Sequence, residues 1–412
     1  MKKVINILIL FFISLTTRAV TDTRTGVFDP MFKSLRITSS INPMLPPIIR
    51  LGSAGSYVTL SFDELAEDNR YLRYRIVHCD SNWRPTQISE TEYVNGFNLG
   101  EIYSYALSQH TLAHYVHYDV TIPNEDVQPL ISGNYLIQVF DDYDPDAILL
   151  QARFMVSEDC ASLSVKITSS TDVDYNSRHQ QLEVDADIEG ARIADPFNDL
   201  RLVITRNGSL THTLDKPQRI ATDHVIYSHQ KELIFPAGNE YRRFESTNVR
   251  YPGMGIEEYV LIEPYYHVKL LTDKPRVYDR YIYDEGQAGR FFPNLLFSDD
   301  PDIEADYLVT HFMLEMPRLR TGEVYLEGDF TYRRLDPDSR MVYDEKMGAY
   351  VKTMLLKQGL YNYQYVVSPT DKSEQNPIEG DYYETLNEYQ LLLYQREPVA
   401  RYERLIGATT VK

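Results

Sequence analysis

The chain has two cysteines and one tryptophan in 412 residues. Two isolated thiols, Cys79 and Cys160, exclude the disulfide-dense framework of small secreted domains and are too few for a structural zinc site. Spacing leaves them open as either a disulfide or two free thiols. Basic residues are scarce as well: 41 Lys and Arg stand against 60 Asp and Glu, a net charge of −19. That sign disfavours nucleic acid and anionic membrane as partners and leaves room for a basic protein face. Long apolar runs are missing except at the start. There Lys2 and Lys3 precede the apolar stretch Val4–Leu15, and Thr17-Arg18-Ala19 offers a small–x–small cleavage site. Such a run is too short to span a bilayer as a helix, so residues 1–19 read as a signal peptide for export, with no direct membrane insertion of the remainder. No cysteine follows closely enough for a lipid anchor. Neither a G-x-S-x-G elbow nor a Gly-rich phosphate loop occurs, and the acids are too numerous to single out a glycosidase pair. The chain therefore reads as a binding protein without a cofactor, not an enzyme.

What is abundant is tyrosine, 33 residues, in short alternating segments that suit strands with one packed and one wet face. Tyr57–Phe62, Leu72–Val77, Val116–Ile122 and Asn134–Phe140 are predicted strands of a first β-sandwich domain over 28–158. Trp83 follows the second of these and is assigned to packing, with a ligand platform as the lesser role. The stretch Ser89–Gln109 carries Tyr93, Phe97, Tyr103 and Tyr105. It reads as a long aromatic loop, and long loops in compact domains are often functional. It is the first candidate for a surface facing a partner. His114 and His117 fall on opposite faces of a strand and cannot share a metal. Asp141–Asp146 lacks the Gly and distal Glu of a calcium loop and reads as an acidic hairpin tip.

A second β domain is predicted over 162–290, with strands at Leu163–Ile167, Leu182–Ile188, Leu200–Thr205 and Tyr259–Leu271 and a turn at Asn207-Gly208. Residues 285–303 read as a linker. A third unit, 304–412, shows strands at Tyr307–Met313, Gly348–Leu356, Tyr361–Val367 and Tyr389–Tyr394 before a short tail. The expected fold class is all-β, a tandem of immunoglobulin-like or early-set β-sandwich domains. The last unit resembles early-set domains that include starch- and glycogen-binding modules, which raises a carbohydrate-binding or carbohydrate-processing periplasmic protein as the rival reading. Those modules hold sugar on tryptophans, and this unit has none.

The densest cluster of chemistry is Phe235–Glu245, FPAGNEYRRFE. Pro236–Asn239 is turn chemistry, and the following segment reads as extended, with Glu240 and Arg242 on one face and Tyr241 and Arg243 on the other. Two acids, two guanidiniums and the rings of Phe235, Tyr241 and Phe244 suit fork-like ion pairs, with each charge expected to find a local partner. The segment is either a buried cluster pinning a sheet or domain joint, or a recognition surface. Asn239, Glu240, Tyr241, Arg242, Arg243 and Phe244 are its candidate residues.

GNEYRRFE resembles the Gly-Asn-Glu-aromatic-Arg-x-Phe-acid signature of the type IX secretion system plug protein family of Bacteroidetes. Upstream, His78-Cys79-Asp80 with Trp83, Glu92-Tyr93, Gly96-Phe97 and Ser132-Gly133-Asn134-Tyr135 resemble that family's first domain. The resemblance runs from about Phe32 to about Ile406. It implies a periplasmic accessory subunit that binds the outer-membrane translocon barrel and closes its periplasmic opening when no cargo is engaged. His78, Asp80 and Trp83 join Tyr103 and Tyr105 as candidate interaction or structural residues.

Overall fold

A computed structural model describes residues 22–368, 376–396 and 401–412. It is almost entirely β, and the hydrophobic side chains gather into three main cores, one for each of three sandwiches in contact. In the first sandwich, Leu72–Cys79, Gly133–Asp141 and Asp144–Ser157 form the centre of one sheet. Phe32–Ser39, Val58–Glu64, Val116–Ile122 and Ser104–Leu107 form the other. Alternation drives this pairing. Leu60 and Phe62 from one sheet and Tyr74, Ile76, Tyr135 and Ile137 from the other are all buried in a single core. Ser104–Leu107 ends its sheet, so among the described residues one of its edges has no strand partner.

The second sandwich joins Ser162–Thr168, His179–Asp187 and His224–Tyr227 to a sheet ordered Leu210–Leu214, Leu200–Arg206, Tyr389–Gln395, Arg404–Val411. The third is built on Gly359–Ser368, which pairs with Arg242–Glu245, Phe291–Pro293 and Glu323–Glu327. Facing it is the sheet Ile256–Ile262, Tyr265–Leu270, Tyr307–Glu315, Ala349–Lys357, Val342–Asp344.

This topology corrects the expected boundaries at 290 and 304. Residues from Arg242 onward, assigned by contiguity to the second domain, pair into the third sandwich, and the chain's last strands return to the second. The third sandwich is thus inserted within the second, a non-local arrangement that period-two patterning does not encode. The expected tail after Tyr394 contains the strand Arg404–Val411, and the expected linker contains the strand Phe291–Pro293. Tyr259–Leu271 is two strands folded around Glu263-Pro264, since Pro cannot donate to a ladder. The Ser89–Gln109 loop is broken up by a helical turn, Glu90–Tyr93, and by the strands Val94–Gly96, Gly100–Glu101 and Ser104–Leu107. The Asn207-Gly208 turn is present, both residues having positive φ, 47° and 69°, as this hairpin turn requires. Cys79 and Cys160 are both free thiols. Cys79 is buried in the first sandwich, whereas Cys160 lies where the chain passes to the second. The segment 1–19 lies outside the described residues.

Candidate functional site

The first-domain signature is built around a buried imidazole. His78 Nε2 donates to the Ser132 carbonyl at 3.1 Å, and Nδ1 lies 2.9 Å from Thr86 Oγ1. Burial pushes its pKa down to about 4, so the neutral ring is the stable form. A Cβ on Gly133 would come within 2.5 Å of His78 Nε2, which is why glycine stands there. Tyr135 meets the imidazole edge-on at 5.0 Å. Asp80 accepts the backbone N–H groups of Asn82 and Arg84 at 2.8 and 2.9 Å and shapes the turn that carries Trp83. Burial and the neighbouring Asp80 charge raise the Cys79 thiol to about 12, which leaves it unreactive.

These residues hold the joint between the first and second sandwiches. Asn134 donates to the Asp80 carbonyl at 2.9 Å and accepts from the Tyr394 hydroxyl at 2.6 Å. Ser81 N donates to Glu403, and Arg201 donates to Ser81 Oγ at 2.8 Å. Trp83 packs against Met155, Val203, Leu392, Tyr394 and Leu405, with the Arg153 guanidinium 4.4 Å from its ring centre.

The GNEYRRFE segment lies where the chain passes from the second sandwich into the third. Its ion pairs are not the local ones expected. Arg242 donates to Asp273 at 2.7 Å, to Glu379 at 3.0 Å and to the Lys274 carbonyl at 2.7 Å. Arg276 grips the other oxygen of Glu379 at 2.6 Å. Burial alone would raise the Glu379 carboxyl, but Arg242 and then Arg276 outweigh it and hold it below its usual range. Tyr363 and Tyr365 both donate to Asp273 Oδ2, at 2.8 and 2.7 Å. Glu240 accepts from the Tyr281 hydroxyl at 2.6 Å and from Leu386 N at 2.9 Å, and burial raises its pKa. Tyr241 donates to Glu327 at 3.0 Å beside Arg333. Phe244 stacks on Tyr361 at 4.7 Å in the third core. Arg243 points outward to Asp284 and is half-exposed. Asn239 caps the turn, donating to the Glu379 carbonyl at 2.8 Å. The partners are distant in sequence because the third sandwich folds back on the motif before the chain returns to the second.

A further joint went unrecognised in the sequence. Between the first and third sandwiches Asp63 (0 % exposed) accepts from Lys357 Nζ (1 % exposed) and from the Tyr307 hydroxyl, both at 2.6 Å. Its other oxygen lies 2.6 Å from His117 Nδ1, and His117 Nε2 is 3.4 Å from Asp119. Burial would raise Asp63, but Lys357 and His117 hold it ionised. Burial opposes protonation of His117, yet Asp119 and Asp63 prevail and raise it to about 9. Lys357 also lies over the Tyr115 ring at 4.2 Å. The residues are 294 positions apart, so no local pattern marks them. His114 pairs separately with Glu67 at 2.8 Å.

Tyr103 and Tyr105 lie far from these joints in character. They are 72 % and 48 % exposed, with Phe97 at 76 %. Tyr105 sits on the edge strand Ser104–Leu107, and Tyr103 donates to Glu101 at 2.9 Å. The sequence candidates are therefore spread over one joint, the passage from the second sandwich into the third, and an edge.

No curated protein matches the chain. A crystal structure of a hypothetical protein from Parabacteroides merdae is similar along nearly its whole length: 38 % identity, 94 % of this chain and 99 % of that one covered, TM-score 0.91. A Pseudomonas fluorescens alkylpurine DNA glycosylase bound to DNA, 15 % identical over 30 % of this chain and 29 % of that one with a TM-score of 0.19, carries no structural relationship. Residues 32–158 match the family described as type 9 secretion system plug protein 1st domain. The first sandwich thus belongs to the family of type IX secretion system plug protein first domains.

Proposed function

We propose that this protein is a periplasmic accessory subunit that binds the outer-membrane translocon barrel and closes its periplasmic opening in the absence of cargo. The observation that carries the reading is the plug-family match over residues 32–158. Geometry supports it: the three sandwiches are held together by buried polar contacts, Tyr394 to Asn134, Arg290 to Glu388 and Lys357 to Asp63. A stopper needs bulk and a fixed shape, and buried polar contacts at each seam resist hinge motion. No helix among the described residues is long and apolar enough to cross a membrane. The contact surface is assigned to the exposed edge carrying Tyr103 and Tyr105, because aromatic side chains anchor interface centres.

A strain lacking the protein should admit large hydrophilic compounds that the wild-type envelope excludes, and deleting the barrel as well should restore exclusion. A leak that persists without the barrel, or no leak at all, defeats the proposal. A carbohydrate-binding protein would instead be retained on glycan beads and give no barrel-dependent leak.

A further inference from the structure

The three sandwiches meet around a cleft of about 620 Å³ that opens beside the Trp83 joint. Its walls come from all three: Leu35 and Arg36, the Pro43–Pro47 loop, Trp83, Arg153 and Met155 from the first; Val203, Thr205, Gln390 and Leu392 from the second; Arg290, Tyr332 and Arg333 from the third. Five arginines line it, against Asp329 and Glu388 alone among the acids. For a chain with half again as many acids as bases, that local balance is inverted.

Four of the five arginines are neutralised. Arg24 pairs with Asp22, Arg36 with Asp302, Arg290 with Glu388, and Arg333 with Glu327 and Asp329. Arg153 differs. Among the described residues no carboxylate lies within ion-pair distance of it. Its Nε donates to the Thr23 carbonyl at 2.7 Å, and its Nη2 reaches Thr23 Oγ1 at 3.4 Å. Its planar face lies on Trp83. A guanidinium has five N–H donors, so Arg153 keeps capacity for an acceptor. Burial lowers its pKa to about 10, outweighing the Cys79 and Asp22 side chains, which act to raise it. Arg36 Nε is also buried without a hydrogen-bond partner. Beside these cations the cleft wall is apolar: Pro43, Leu45, Pro46 and Pro47 on one side, Val203 and Leu392 on another.

We propose that this cleft binds an amphiphilic carboxylate, its head group on Arg153 beside Trp83 and its apolar body along the Pro43–Pro47 loop and Leu392. The anion supplies the missing counter-charge, and the proline-rich wall removes the apolar body from water. An acyl chain and a polypeptide C-terminus with an apolar last residue share this chemistry.

Trp83 is the chain's only tryptophan, so its emission reports on the cleft alone. The protein without its leader would be titrated with octanoate and, separately, with N-acetyl-leucine; octanol and sodium sulfate serve as controls lacking the charge or the apolar body. A saturable change in Trp83 emission with octanoate only points to an acyl source, and with N-acetyl-leucine only to a chain terminus; both outcomes, or saturation by both, support the site provided the controls bind at least tenfold more weakly. Arg153→Gln should weaken binding at least tenfold. Leu45→Glu, on an exposed loop position where folding is undisturbed, should do the same by placing a like charge at the rim. Absence of saturation with both carboxylates in the millimolar range overturns the proposal. So does unchanged affinity in Leu45→Glu, whatever becomes of Arg153→Gln.

Discussion

The seam between the first and third sandwiches and the outer edge of the first are opposites built from similar residues. At the seam, Tyr115 and Tyr307 are buried, and their hydroxyls donate to the Ala305 carbonyl and to Asp63. At the edge, Tyr103 and Tyr105 present their rings to solvent. Tyrosine serves both because its ring packs and its hydroxyl bonds. The difference lies in what a substitution leaves behind. At the seam it strands a charge away from water; at the edge it removes contact area that the folded protein does not need. Seam changes should therefore appear in stability, and edge changes in association.

The largest effect is expected from Lys357→Met, which leaves Asp63 buried with His117 as its remaining cation. Loss of about 3–5 kcal/mol is expected in urea unfolding, and a loss under 1 kcal/mol would mean that the seam is hydrated. Adding Asp63→Leu should recover part of the loss, because no buried charge then lacks its partner.

Neighbouring arginines sharpen the contrast within one strand. Arg242→Ala strips cations from Glu379 and Asp273 and should cost about 3 kcal/mol. Arg243→Ala breaks a half-exposed pair with Asp284 and should cost roughly 1 kcal/mol or less. Equal melting temperatures for the two variants would refute the assignment of Arg242 to the scaffold.

The two buried histidines should show opposite pH signatures. His117 is raised to about 9. Its charged form stabilises the fold below the unfolded histidine value of about 6.5, and that contribution is lost as pH rises through 9. His78 is lowered to about 4. Its neutral form is fully favourable above about 6.5, and that contribution declines as pH falls toward 4. Comparing wild type with His117→Asn across pH 6 to 10, and with His78→Asn across pH 4 to 7, isolates each term. Imidazole NMR titrations locate the folded values directly.

The smallest effect on folding belongs to the edge. Tyr103→Ser with Tyr105→Ser should change stability by about 0.5 kcal/mol or less, yet reproduce the barrel-dependent leak. A double variant that seals like wild type moves the contact elsewhere.

The strands were legible where alternation is strong. Val116–Ile122 was located to the residue, and Gly133–Asp141 nearly so, since burying one face forces period two. Chain order was not: Gly359–Ser368 recruits Arg242–Glu245 across more than a hundred residues, and Tyr389–Gln395 returns to Leu200–Arg206. The edge aromatics were legible as a cluster, but the strand at their centre was obscured by the short, irregular pieces around it.

Composition and pattern by themselves determined that this is an acidic, tyrosine-rich β protein, with two signatures of dense polar residues and no cysteine framework. Those properties are local, set by backbone sterics, side-chain periodicity and the sign of charge. Tertiary structure alone decided that the first-domain signature is a joint, that Arg242 answers to Asp273 and Glu379, and that Asp63 meets Lys357. Buried charges choose partners by proximity in space, and in a fold of nested sandwiches the nearest opposite charge is seldom near in the chain.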